Sequence, residues 1–283
     1  MVKFRRKVYI SPVDPIALGQ LAVWQEKTKG ACARVLLIHG MSEHSARHSN
    51  TIHYLNQKGL EVVRFDLRGS GRSGGLRQWV EKFEDYVEDT AQVLNWIETS
   101  LSPLPLFVLG HSMGGAIGIY FTSHYQKRIR GLVLSAPAYK VGGAISPLKI
   151  KVGNFLSQLA PKLRIPGADD KDCVSKDKEV VKAYAEDPLC FHYNTLQQGS
   201  EVLRALERIP DICSKIEVPI LIAHGTHDRL IRPEGSYDIL RSLKSPDRWL
   251  AYLPNGYHEP HNDTEKEEYF ALISGWILKH LPG

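Results

Sequence analysis

Short apolar runs of strand length recur along the chain, at Arg34–Ile38, Leu60–Asp66, Leu106–Leu109, Gly131–Ser135, Pro219–Ala223 and Trp249–Leu253. Most are bounded by turn residues, the signature of buried strands rather than of half-exposed ones. Between them the apolar positions shift to helical spacing. From about Phe83 to Ile97, the residues Tyr86, Val87, Val93, Leu94 and Ile97 share one face. A second helical pattern starts near Thr264 and carries Tyr269, Phe270, Leu272, Ile273 and Ile277, and Thr264-Glu-Lys-Glu267 reads as a capping box. Strands alternating with helices predict a mostly parallel sheet covered on both faces. Val8–Ile10 and Leu18–Trp24 read as an antiparallel edge hairpin.

One stretch breaks the alternation. From Lys140 to about Ser214 no strand is evident and helical periodicities dominate. The expected organisation is a core of residues 1–139 and 215–283, with residues 140–214 inserted as a helical cap.

The length of 283 residues suits one large α/β domain with such an insertion. A net charge of +5, with no long basic run and no aromatic-basic motif, gives no sign of nucleic-acid binding. Cys32, Cys173, Cys190 and Cys213 form no C-x-x-C pair, so their spacing indicates neither a zinc site nor a redox motif. Free thiols in a reducing compartment are the simplest expectation. The basic N-terminus MVKFRRKVYISPVD lacks the apolar stretch of a signal peptide. No apolar run approaches the roughly 18 residues of a membrane span. A cytoplasmic protein is expected.

The chemistry lies at strand ends. Gly110-His111-Ser112-Met113-Gly114 matches G-x-S-x-G, follows the strand-like LFVL and precedes the helical AIGIYFTSHY. A nucleophile held on so tight a strand-to-helix turn needs small residues two before and two after it. The helix then points its free N–H groups at the site. A serine requires a base, and the base an orienting acid, in the order Ser, Asp or Glu, His. Asp228 stands just past the strand PILIAHG. After the strand WLAYLP come His258, the favoured base, and His261, its rival. The backbone N–H of Met113 is one expected oxyanion donor, and Met41, after Arg34–Ile38 and His39-Gly40, is the candidate for the other. Gly69-Ser-Gly-Arg-Ser-Gly74 satisfies G-x-G-x-x-G, but Asp66-Leu-Arg68 separates it from the strand. It reads as a turn-rich loop braced by Asp66, not a dinucleotide site.

His39-Gly-Met-Ser-Glu-His-Ser-Ala-Arg47, Asp66-Leu-Arg-Gly-Ser-Gly-Arg-Ser73, Gly110–Gly114, His224-Gly-Thr-His-Asp228 and Tyr257-His-Glu259, in this order over nearly the whole chain, resemble the monoacylglycerol lipase and lysophospholipase branch of the α/β-hydrolases. The resemblance implies the α/β-hydrolase fold with an inserted cap and the triad Ser112, Asp228 and His258. It further implies oxyanion donors at Met41 and Met113, a lid over an acyl channel, and no cofactor. It points to hydrolysis of a single-chain lipid ester, with lysophospholipid or short-chain esters as alternatives. A non-catalytic receptor on the same fold is the alternative of a different class. The chain departs from the family pattern at His48 and, within Tyr257-His258-Glu259-Pro260-His261, at Pro260.

Between Lys140 and Pro166 lie Lys140, Lys149, Lys151, Lys162 and Arg164 and no acidic residue. Ile145, Leu148, Val152, Phe155, Leu156 and Leu159 recur there at helical spacing. Such a helix can line a channel or rest on an anionic membrane surface, and it can equally pack on the core with solvated lysines.

Overall fold

A computed structural model describes residues 14–143, 147–167 and 171–282. In chain order the elements are β1 (Ile16–Leu18), β2 (Leu21–Glu26), β3 (Ala33–Ile38), α1 (Ser49–Gln57), β4 (Leu60–Phe65), α2 (Glu84–Ser100), β5 (Leu106–His111), α3 (Met113–Tyr125) and β6 (Gly131–Ser135). They continue with α4 (Pro147–Leu159), β7 (Arg164–Pro166), α5 (Lys178–Glu186), β8 (Tyr193–Thr195), α6 (Leu196–Glu207) and α7 (Ile209–Cys213). The last are β9 (Ile220–Gly225), α8 (Glu234–Ser242), β10 (Arg248–Leu253) and α9 (Lys266–Lys279).

Eight strands form one sheet in the order β1-β2-β4-β3-β5-β6-β9-β10. The pairings from β4 through β10 are parallel, and β1 and β2 join antiparallel at the edge. Because strand side chains alternate, β3 sends Val35 and Leu37 to one face and Leu36 and Ile38 to the other. The first face is covered by α1 and α9 through Ile52, Leu55, Phe270, Ile273 and Ile277. The second is covered by α2 and α3 through Tyr86, Leu94, Ile117 and Phe121. Burial on both faces explains why the central strands read as continuous apolar runs.

Three local expectations are corrected. Leu18–Trp24 is not one strand, because Gly19 turns the chain at φ +61° and β1 folds back on β2. Val8–Ile10 lies outside the described residues. The region after Lys140 contains a small antiparallel ribbon, β7 paired with β8. Each of its strands has three residues, too short for a period-2 signal. The Thr264 capping box does not form: α9 starts at Lys266, and the Thr264 hydroxyl donates to Glu265 Oε2 at 2.6 Å.

The segment between β6 and β9 divides its packing. Ile209, Ile212 and Cys213 of α7, and Val202, Ala205 and Leu206 of α6, join the core beside α3. By contrast α4 rests on α6. Phe155 is 61% and Leu159 68% exposed, and Val152, Leu156 and Leu163 are also exposed.

Candidate active site

The sheet order reverses direction between β3 and β5, and both strands point their carboxyl ends at one crevice, where open α/β sheets bind ligands. At the end of β5, Ser112 adopts φ +53° and ψ −119°, a conformation that L-residues rarely hold. The flanking glycines make this turn sterically feasible. A Cβ on Gly110 would strike the Gly114 carbonyl, and one on Gly114 would strike the carbonyls of Ile38 and His39. Met113 is the first residue of α3, so its N–H has no intrahelical acceptor and faces the crevice end of the helix.

Three side chains from separate strand ends meet there. His258 Nε2 lies 3.0 Å from Ser112 Oγ, and His258 Nδ1 lies 2.7 Å from Asp228 Oδ2. Ionised Asp228 can only accept, so Nδ1 carries the proton and the Nε2 lone pair accepts from the Ser112 hydroxyl. Asp228 is held from every side. Its Oδ1 accepts the N–H groups of Leu230 at 2.8 Å and Ile231 at 3.0 Å, and its Oδ2 also accepts from His224 Nε2 at 3.0 Å. Burial alone would raise the Asp228 pKa, but the charge of His258 and the bonds from His224 and His258 hold it far below the usual carboxylate range. Burial likewise opposes charge on His258, yet the Asp228 carboxylate outweighs it and lifts the imidazole above its ordinary value. A base raised by a fixed anion is the electrostatic arrangement that proton abstraction from a serine requires.

The loop after β3 lies directly against Ser112: a Cβ on Gly40 would come within 3.2 Å of Ser112 Cβ. His39 fixes the loop from below, its Nδ1–H donating to Gly40 O at 2.7 Å while its Nε2 accepts from Leu67 N at 2.9 Å. Glu43 fixes it from the side, its Oε1 accepting the Gly40 N–H at 2.5 Å. Met41, the next residue, packs on the core.

His261, the rival base, is fully buried with neither nitrogen hydrogen-bonded within the protein. Its ring stacks on His48 at 4.1 Å and meets His111 edge-on at 4.7 Å. Burial, reinforced by His48 and His111, pushes its pKa well down. His48, a departure from the family pattern, therefore lies against His261, and both border Glu43. The histidines read as peripheral, His53, His124 and His192, are exposed.

Sequence reasoning assigned no role to Glu43 or His224, although both stand inside motif blocks already singled out. The Arg47–Glu259 pair was also missed. Arg47 Nη2 donates to both Glu259 oxygens, at 2.7 and 2.5 Å, and ties the loop after β3 to the loop carrying His258. The segment between β6 and β9 touches the same two loops: Cys173 O accepts from His258 N at 3.4 Å and Val174 O from Glu259 N at 2.8 Å. His44 Nε2 meets Asp187 Oδ2 at 2.9 Å.

The G-x-G-x-x-G stretch folds as a loop. Asp66 Oδ1 accepts from Ser45 and Oδ2 from Arg72 N, and Gly74 N donates to Gln20 O at 2.7 Å. No helix opens at its last glycine; the next one starts at Glu84.

The family described as "Serine aminopeptidase, S33" matches residues 29–265. A monoacylglycerol lipase from Mycolicibacterium smegmatis is 35% identical over 251 residues, covering 87% of this chain and 88% of that protein. Human monoglyceride lipase is 30% identical over 249 residues, covering 87% of this chain and 82% of that protein. The crystal structure of the Paleococcus ferrophilus monoacylglycerol lipase superposes with a TM-score of 0.85 at 29% identity, covering 92% of this chain and 99% of that one.

Proposed function

The chain belongs to the serine aminopeptidase S33 family of α/β-hydrolases and is a monoacylglycerol lipase-like serine hydrolase; on that premise we propose that it cleaves the ester of a single-chain glyceride through an acyl-enzyme on Ser112. The observation that carries this reading is the unbroken hydrogen-bond chain from Ser112 Oγ through His258 to Asp228 at the carboxyl end of the sheet.

In this mechanism Ser112 Oγ attacks the ester carbonyl carbon as His258 Nε2 takes the hydroxyl proton. The N–H groups of Met41 and Met113 hold the oxyanion. As the tetrahedral intermediate collapses, His258 returns the proton to the departing glycerol oxygen. A water then enters, gives a proton to His258 and attacks the acyl carbon; as the bond from that carbon to Ser112 Oγ breaks, His258 returns the proton to Oγ and the fatty acid leaves. Asp228 stays ionised throughout and fixes the imidazole tautomer.

Residues 140–214 act as a cap in this reading, and α4 presents the acyl-loading face to a lipid surface. Support comes from the exposed side chains of Phe155, Leu156, Leu159 and Leu163 beside a basic stretch. No helix of the described residues is long and apolar enough to cross a membrane, so the contact would be peripheral. The charge here is less free than the sequence suggested. Lys140 pairs with Asp238, Lys162 lies over Trp79, and Arg164 stacks on Tyr193 at 4.4 Å.

A substrate panel tests the proposal: long-chain monoacylglycerols, diacylglycerols, lysophospholipids, p-nitrophenyl esters and an aminopeptidase substrate. Monoacylglycerol should give the highest kcat/KM. Preference for lysophospholipid would reassign the head group, and cleavage of the peptide alone would overturn ester hydrolysis.

A further inference from the structure

Beside the Gly40 loop lies a group of side chains that take no part in the bond-making steps of ester cleavage, although Glu43 also braces that loop. Glu43, His48 and His261 each offer a ligand atom, and the three atoms lie within 4.8 Å of one another. All three residues are buried. His261 leaves both ring nitrogens unpartnered, and Glu43 Oε2 also lacks a hydrogen bond. A buried polar atom left so costs free energy unless something outside the chain satisfies it.

The charges point the same way. Arg47 is the nearest cation, at 3.4 Å from Glu43 Oε2, but both Glu259 oxygens already neutralise it. Glu43 is thus an extra buried anion facing two imidazoles. His48 Nε2 stands 3.2 Å from Glu43 Oε1. That is close to the ligand separation of about 3.4 Å that follows from zinc–ligand bonds of about 2.0–2.1 Å in a tetrahedron. His261 is the ligand that has to approach, from a position within 4.8 Å of the other two ligand atoms. Burial keeps its imidazole neutral, the form that binds metal.

We propose that Glu43, His48 and His261 form a binding site for a borderline transition-metal dication of the zinc class. Two imidazoles and a carboxylate suit such an ion and leave a fourth position for water. Occupancy has a consequence for the neighbouring chemistry. The carboxylate that would hold the ion is the one whose Oε1 accepts the Gly40 N–H. Drawing it toward the metal loosens the loop that presents Met41, so the bound ion slows ester cleavage. The cysteine spacing gave no hint of this site, because its ligands stand 5 and 213 residues apart in sequence, at positions 43, 48 and 261.

The test uses Zn²⁺ and Co²⁺ alone with the full chain, on a Ser112→Ala background, so that metal binding is read without any dependence on the hydrolase reading. Calorimetry should give one Zn²⁺ per chain. X-ray absorption should show two imidazoles with oxygen ligands, and Co²⁺ should give the visible band of a low-coordinate site. His261→Gln and His48→Gln should each weaken binding by at least about tenfold. His258→Gln should leave it intact, as should Cys190→Ser in the second candidate group, His44, Asp187 and Cys190. With Ser112 restored, Zn²⁺ should inhibit the parent at the concentrations that bind, and His261→Gln should escape. If a histidine variant fails to fold, the absorption spectrum of the unmutated chain still decides the ligand set. Absence of saturable binding, a thiolate ligand, or binding that survives His261→Gln would overturn the site and leave a pocket for water. Stoichiometric binding without inhibition would overturn its coupling to the Gly40 loop.

Discussion

At the carboxyl end of the sheet, Asp228 receives two backbone and two imidazole donors, and Ser112 sits on a turn that only glycines at 110 and 114 permit. In α4, by contrast, Phe155 and Leu159 project largely into solvent, and the helix rests on another helix of the same insertion. The first region is over-determined: each reacting group is fixed by partners on a rigid sheet, which is what preorganised catalysis demands. The second leaves an apolar face in solvent, as the lipid-facing role proposed for it would need. Chemistry and substrate capture should therefore respond to mutation independently.

The sharpest separation comes from the nucleophile and its base. Ser112→Ala should lower kcat on any ester by roughly 10⁴-fold or more, as should His258→Ala, because the residues act as a unit. The protein should stay folded by circular dichroism. His261→Ala, measured in the presence of a chelator, should retain most of the activity. Inactivation by His261→Ala with activity left in His258→Ala would move the base.

The next largest effect concerns Asp228. Asp228→Asn should cost about 10⁴-fold in kcat through loss of the imidazole tautomer. The pH profile carries the sign. His258 must be neutral to take the serine proton, and its pKa is held above the ordinary value, chiefly by Asp228 acting against burial. In the parent, kcat/KM should fall as pH drops through that raised pKa, so the acid limb lies above the usual imidazole range of about 6.5. Asp228→Asn removes the anion, and the limb should move to lower pH. An unmoved limb would assign it to another group.

Glu43→Gln tests the loop rather than the triad. Loss of the carboxylate that accepts the Gly40 N–H should misplace the Met41 donor and lower kcat on the order of 10²-fold, with KM little changed. A change confined to KM would make Glu43 a binding residue.

The smallest effect on the chemistry should come from α4 and the residues after it. Charge near an anionic leaflet is worth about 1 kcal/mol per residue and is screened by salt. Replacing Lys149, Lys151, Lys162 and Arg164 with Glu should weaken binding to anionic vesicles and slow hydrolysis of long-chain substrate in them. Cleavage of a small soluble ester should hardly change. Equal binding of parent and variant to anionic vesicles would reduce the basic stretch to a solvated face.

The same contrast explains what could be read from the chain. The elbow was legible because its requirement is local, with glycine two residues either side of Ser112 between a strand and a helix. The positions of Asp228 and His258 just past recognisable strands were legible, and the structure brings both side chains together with Ser112. The supports were not legible. Arg47 pairs with Glu259, and His48 stacks on His261, across more than 200 residues, and no periodicity couples positions so far apart. The β7–β8 ribbon was too short to signal itself. The expected cap at Thr264 failed because Asp263 Oδ1 accepts the Thr264 N–H, and the helix begins two residues later.

The central claim is that Ser112 becomes acylated. Incubation with a fluorophosphonate probe, followed by peptide mapping of the labelled chain, tests it most directly. The account predicts one adduct per chain, on Ser112, formed in step with loss of esterase activity and absent in Ser112→Ala. A folded parent that hydrolyses ester while Ser112 remains unlabelled, or a Ser112→Ala chain that labels and turns over like the parent, would contradict it.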